Sequence, residues 1–391
     1  MQAITPKIAS DLASLVYDIR TPTARGIYRF NRHSESTRYF DFDLSDGPVT
    51  GVTGTWFDRL MNRRTGFAII GKGKDYYRDH VAVAIRGTKM TSGRDWLTNG
   101  NVGISGSDTG SSVHAGFNRA FQSMKPLFEQ SLSPLVQART TVHCVGHSLG
   151  GALASLTADW VKARYGCNVN LYTFGAPRVG LRNFAMNHTG SLGSSNIFRC
   201  THGADPVPLV PLWPFHHAPL DGLEYRLDYG QGIDAAAHGM HATDTPGYVN
   251  TANSDDWGIL NARSNEIFTP VVLDYEQRHQ ASFTSYWAEK IGNALLTLLK
   301  NAGKLSAIMA QATIGTGLTF YDLLARTLEE VAAASVQFAE QTRGLLGHML
   351  VFARQAVTTV RDLSFSFIRW VFDRTLGSLY RAARNAIDYL S

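Results

Sequence analysis

Residues 144–153 read CVGHSLGGAL, three glycines crowding one serine and one histidine between apolar neighbours. Just upstream, TTVHCVGH (140–147) has the length and the β-branched, apolar content of a buried strand. Just downstream, SLGGALASLTADWVKARY (148–165) carries small and apolar residues at helical spacing. A serine held in G-x-S-x-G spacing between a strand and a helix is the pattern of a nucleophile elbow. Side chains at Gly146 and Gly150 would collide with the adjoining helix and strand. Leu149 opens the helix, where backbone N–H groups lack intrahelical acceptors and the dipole favours negative charge. Ser148 is therefore the candidate nucleophile, and the Leu149 N–H a candidate oxyanion donor.

Outward from this stretch, strand and helix patterns alternate. GFAIIGKG (66–73), HVAVAIRG (80–87), VNLYTFG (169–175) and NIFRCTH (196–202) read as strands, and SVHAGFNRAFQSMKPLFEQSL (112–132) as a helix. Continuous apolar strands alternating with helices predict an α/β fold with a mostly parallel central sheet covered on both faces. All 13 prolines lie at or before Pro270, and the chain beyond reads as helical. The expected division is an α/β domain over 1–290 and an all-α region over 291–391. Leu324, Leu328, Val331, Ser335, Phe338, Thr342, Leu345, Met349, Phe352, Ala356, Thr359 and Leu363 form a heptad-like seam. Ile368, Val371, Phe372, Thr375, Leu379, Ala383, Ile387 and Leu390 then set an apolar stripe against Arg369, Arg374, Arg381 and Arg384. That is an amphipathic helix suited to internal packing or to a membrane surface.

Composition narrows the class. The chain has 391 residues, is 44% hydrophobic and carries a formal charge of +5. It has no Lys/Arg run of the kind that binds nucleic acid. Three cysteines offer neither a disulfide framework nor a CxxC metal pair. The opening MQAITPKIASDLASLVYDIR lacks a basic start and an unbroken apolar core, so no secretory signal peptide is expected. No stretch of about 20 apolar residues predicts a transmembrane helix.

VGHSLGGALA (145–154) resembles the nucleophile segment of the class 3 lipases, and four more segments match that family in order. They are AIRGT (84–88), VHAGF (113–117), YTFGAPRVG (172–180) and GADPVPLVP (203–211). The resemblance covers about residues 60–290 and implies an α/β-hydrolase fold. It implies that Thr88 supplies the second oxyanion donor and that Asp205 orients the catalytic histidine. His114 and His147 also match, in structural places. Trp96, in KMTSGRDWLTN (89–99), falls where many members carry a lid.

The base must follow Asp205 in the chain order Ser, Asp, His of this fold. EYRLDYG (224–230) reads as an outgoing edge strand, after which the chain has to cross back to the serine. His238 and His241 follow it closely. His279, in LDYEQRHQASFTSYW (273–287), comes after a longer excursion and before a new helix. His279 is the expected base, with His241 and His238 as alternatives.

The implied activity is hydrolysis of lipid esters, as a lipase or phospholipase A, through an acyl-enzyme on Ser148. No metal or organic cofactor is expected. The charge and the basic helix favour membrane phospholipid as substrate, with peripheral membrane contact and no nucleic acid. A soluble esterase, or a membrane-disturbing or partner-binding effector acting through the C-terminal helices, are the alternatives. Cytoplasmic synthesis, export by a Sec-independent route and an inhibitory protein partner complete the expectation.

Overall fold

The computed structural model describes residues 3–19, 28–30, 34–45, 47–51, 65–87, 103–228, 230, 232–243, 246–264, 269–314, 320–356 and 359–389. Its strands are β1 (Phe40–Phe42), β2 (Val49–Gly51), β3 (Thr65–Gly73), β4 (His80–Ile85), β5 (Ile104–Gly106), β6 (Ser112–His114), β7 (Thr141–His147), β8 (Asn168–Phe174), β9 (Gly180–Leu181), β10 (Ile197–His202), β11 (Phe215–His216), β12 (Leu223–Asp228) and β13 (Ala262–Ser264). Its α-helices are α1 (Pro6–Leu15), α2 (Ala115–Leu132), α3 (Leu149–Tyr165), α4 (Arg182–Leu192), α5 (Tyr248–Thr251), α6 (Ser285–Asn301), α7 (Leu305–Ile314), α8 (Phe320–Ala334), α9 (Val336–Phe352) and α10 (Phe365–Tyr389).

The main sheet runs β1-β3-β4-β7-β8-β10-β12-β13, with β2 also paired to β3. The five strands from β4 to β12 are parallel, and the flanking pairs are antiparallel. The expected mostly parallel sheet is thus what the chain forms. Its central strands β4, β7 and β8 are mostly apolar because both faces are covered. Val81, Val83, Val142 and Cys144 point into one buried cluster. Ala82, Ala84, Val145 and Tyr172 alternate into a second cluster shared with Ile8 and Leu12 of α1. All three cysteines are buried and free.

Two local readings change. Residues 112–114, read as helix, form β6, because the His114 ring accepts from the Gly116 and Phe117 N–H groups and starts α2 at Ala115. EYRLDYG is not an outgoing edge strand. It runs parallel to β10, and β13 takes the edge beside it.

The C-terminal helices reach the sheet through its turns: α10 packs on Val207–Leu209 and Ala235–His238, which follow β10 and β12. Leu298 of α6, Leu328 of α8, Leu346 of α9 and Leu379 of α10 belong to the same cluster as the β7 and β8 side chains. The seam is interrupted at Ser335, whose side chain accepts from the Phe338 N–H and caps α9. The apolar stripe of α10 is buried, at Ile368, Val371, Phe372, Leu379 and Ala383. Arg369 pairs with Asp322 of α8 at 2.5 Å, whereas Arg374, Arg381 and Arg384 face solvent. The packing therefore leaves the helix no free apolar face to lay on a bilayer. Among the described residues no helix is long and apolar enough to cross a membrane.

Candidate active site

Strands β7, β10 and β12 are parallel, so their C-terminal ends reach the same edge of the sheet. The chain places one polar residue beyond each: Ser148 directly after β7, Asp205 after β10, and His238 after β12. Ligand sites of open α/β sheets gather at this edge.

Ser148 sits at φ +58° and ψ −133°, a backbone conformation that a residue with a side chain rarely adopts. The turn is tight enough that the neighbours must be glycine. A Cβ on Gly146 would lie 2.2 Å from the Gly150 carbonyl oxygen, and one on Gly150 would lie 2.2 Å from that of Ile85. The Ser148 N–H donates to Phe174 O at 2.9 Å, tying the turn to β8. Leu149 begins α3, so its N–H belongs to the helix's unpaired first turn.

Ser148 Oγ lies 2.7 Å from His238 Nε2, and His238 Nδ1 lies 2.8 Å from Asp205 Oδ2. All three side chains are buried. Asp205 Oδ2 also accepts from the Tyr248 hydroxyl at 2.8 Å, and its Oδ1 from the Val207 N–H at 2.9 Å. Since the carboxylate accepts, Nδ1 of His238 carries the hydrogen and Nε2 accepts the Ser148 O–H.

Two further histidines hold the backbone of this loop. His147 Nε2–H donates to His238 O at 2.8 Å, and His202 Nδ1–H donates to Ala237 O at 2.6 Å. With Nε2 donating, His147 Nδ1 accepts from the Tyr17 hydroxyl at 2.9 Å, and the Tyr17 oxygen accepts from the Gly87 N–H at 3.0 Å. One chain of hydrogen bonds thus joins the end of β4, the serine turn and the histidine loop. Burial, with His238 beside it, keeps His147 well below the usual histidine range and therefore neutral. Burial likewise pushes the Tyr17 hydroxyl up, so it stays a donor. Burial and the adjacent Asp205 carboxylate do the same for Tyr248.

The expected base requires correction. His279 lies on an exposed 3-10 turn, Tyr275–Gln280, after β13 and far along the chain from the serine edge. His241 makes no hydrogen bond to Ser148 or Asp205; its carbonyl accepts from the Asn250 N–H at 3.1 Å. The histidine joined to both is His238. Reading EYRLDYG as an outgoing edge strand ranks it behind His279. A parallel β12 instead delivers the chain to the serine edge, and the ten residues from Asp228 to His238 can reach about 33 Å. Tyr17, His202 and Tyr248 carried no local sequence signal. Thr88 and Trp96 lie outside the described residues.

Residues 82–215 match the family model described as Lipase (class 3). A secreted mono- and diacylglycerol lipase of Fusarium solani is 37% identical over 245 residues, covering 58% of this chain and 71% of its own. A secreted mono- and diacylglycerol lipase of Penicillium camembertii is 30% identical over 173 residues, 42% of this chain and 53% of its own. Toxin TseL of Vibrio cholerae is 36% identical over 162 residues, 41% of this chain but only 24% of the toxin. The chain belongs to the class 3 lipase family and is a carboxylic-ester hydrolase of lipids on the α/β-hydrolase fold.

Proposed function

We propose that Ser148, His238 and Asp205 form the catalytic triad of this hydrolase. The observation that carries the reading is the unbroken Ser148–His238–Asp205 chain of 2.7 and 2.8 Å contacts at the C-terminal edge of the sheet. Ser148 Oγ attacks the ester carbonyl while its proton passes to His238 Nε2. Asp205 holds the imidazole by Nδ1–H and stabilises the imidazolium that forms. The Leu149 N–H receives the oxyanion; Thr88 is assigned the second donor from the AIRGT match alone. His238 then protonates the departing alcohol. Water attacks the acyl-enzyme with His238 again taking the proton, which releases the acid and restores Ser148. The Ser148→Ala protein should lose hydrolysis of p-nitrophenyl butyrate by at least three orders of magnitude; retained turnover rejects the triad.

The proposed substrate is a membrane phospholipid, and the proposed setting is export by a Sec-independent route with an inhibitory partner in the producing cell. The net charge of +5, the exposed arginines of α10, and relatives named as secreted lipases and as a toxin support this. Mass spectrometry of products from phospholipid vesicles and from diacylglycerol emulsions tests the first part. Exclusive cleavage of the diacylglycerol rejects phospholipid. The second part predicts that the active protein, expressed alone in a bacterial host, arrests growth where Ser148→Ala does not.

A further inference from the structure

The turns that carry the acid and the base have little structure of their own. His238 ends the short 3-10 turn Ala235–His238, and Asp205 lies between β10 and the 3-10 turn Val207–Leu209. A side chain on such a turn is held to a fraction of an ångström only by what packs around it, and a misplacement of about 1 Å can cost about 10² in rate.

From the sheet side the support is polar. His147 and His202 donate to the carbonyls of His238 and Ala237. The Asp234 N–H donates to Ala204 O at 2.9 Å and ties the two turns to each other. From the other side the support is a helix. α10 packs on both turns. Val207 and Leu209 are buried in the cluster that takes the apolar stripe of α10, and Ala235 packs against that cluster.

Two residues of α10 reach the chain that continues from Asp205. Leu379, almost fully buried, walls an apolar cavity of about 50 Å³ with Leu376, Leu212 and Trp213. The charge of Arg178 acts on the buried Tyr380 hydroxyl, and Arg178 Nη1 donates to Leu209 O and Pro211 O at 2.5 and 2.9 Å. The helix is anchored elsewhere in turn: it packs on α8 and α9, and Arg369 pairs with Asp322 of α8. Residues 365–389 lie beyond the family match, which ends at residue 215.

We propose that α10 is a positioning element of the active site, with Leu379 as a positioning residue. The helix backs the Asp205 and His238 turns and keeps the base in line with Ser148. The inference rests on the Ser148–His238–Asp205 triad and gives the C-terminal helices a part in turnover. Because α10 acts on the base and not on the acyl chain, disturbing it lowers kcat and leaves KM.

Leu379→Ala and Leu379→Val test this against Leu132→Ala, a fully buried leucine of α2, which packs on α3, β2, β5 and β6. All are assayed for kcat and KM on p-nitrophenyl butyrate, at a temperature where thermal unfolding shows each variant folded. Leu379→Ala widens the cavity beside Leu212 and Trp213. It should lower kcat by about ten-fold or more with KM within about two-fold, and Leu379→Val should lower kcat by about three-fold. The valine variant, the milder change, carries the test should the alanine variant fail to fold. The low-field proton resonance of His238 Nδ1–H should shift in the Leu379 variants, whereas Leu132→Ala should keep the parental kcat and resonance. Parental kcat in the folded Leu379 variants, a change confined to KM, or an equal loss of kcat in Leu132→Ala overturns the proposal. His238→Ala, run alongside, separates the two readings. An active His238→Ala rejects the triad; an inactive one beside fully active Leu379 variants rejects only the role of α10.

Discussion

Replacing His238 with alanine removes the acceptor 2.7 Å from Ser148 Oγ and the donor 2.8 Å from Asp205. Loss of a general base costs about 10² to 10⁴ in rate, or about 2.7–5.5 kcal/mol of transition-state stabilisation. Asp205 keeps its bonds from Tyr248 and Val207, so the carboxylate is not stranded and the fold should survive. His279→Ala is the matched control. That side chain is exposed, and surface changes of this kind stay within about 0.5 kcal/mol. Both variants are assayed as kcat/KM on p-nitrophenyl butyrate, with thermal unfolding as the check on folding. His238→Ala should fall by at least two orders of magnitude and His279→Ala should match the parent protein. A folded His238→Ala at parental activity, or a folded His279→Ala that loses two orders, refutes the reasoning.

Tyr17→Phe leaves the Gly87 N–H and His147 Nδ1 without their partner, at about 1–3 kcal/mol each; urea unfolding at parental stability would contradict the clamp. Gly150→Ala drives a methyl to 2.2 Å from Ile85 O, an overpacking of about 1–3 kcal/mol or more. A variant that keeps both melting temperature and kcat rules out the close approach. Glu224 is buried, and burial alone would raise its pKa, yet Arg199 and Arg263 hold it well below the usual carboxylate range. Glu224→Gln removes the charge that Arg199 and Arg263 share, while Glu289 still holds Arg263, and should cost about 3 kcal/mol in denaturant titrations. For His114, His143 and His147, burial depresses the folded pKa below the unfolded value. The unfolded chain therefore binds more protons as pH falls. Stability should be full above about pH 6.5 and decline below it, with His114, lowered to about 3, contributing about 1.4 kcal/mol of loss at pH 5.5. Equal stability at pH 7 and 5.5 would exclude neutral buried histidines.

What was legible in the sequence was local. The strand, turn and helix over 141–165 are one contiguous stretch, and Gly146 and Gly150 are dictated by contacts within it and with β4. The parallel sheet was legible because its central strands β4, β7 and β8 are mostly apolar on both faces. The base was not, because a strand's direction is a property of its partner. Nothing within EYRLDYG distinguishes a parallel neighbour of β10 from an antiparallel edge, and that one choice decides whether His238 or a later histidine meets the serine. Ser335 shows the same limit at a smaller scale. It fits the heptad spacing, but its hydroxyl accepts the Phe338 N–H and ends the seam. The supporting ring of Tyr17, His202 and Tyr248 is assembled from three separate segments, and no spacing rule links them.

The segment around α1 is held by residues translated long after it. The Ile4 N–H donates to the Tyr172 hydroxyl at 3.0 Å, the Trp257 indole donates to Ile4 O at 2.8 Å, and the Lys7 N–H donates to Ser254 O at 3.0 Å. At about 5–20 residues per second, roughly 13–50 seconds separate the synthesis of Ile4 from that of Trp257. Until then α1 has Ala82, Ala84 and Val145 of the sheet beneath it but lacks the bonds of its segment to Ser254 and Trp257. The proposed triad closes only once His238 is made, 90 residues after Ser148, so the order of synthesis itself delays activity until β12 has been translated.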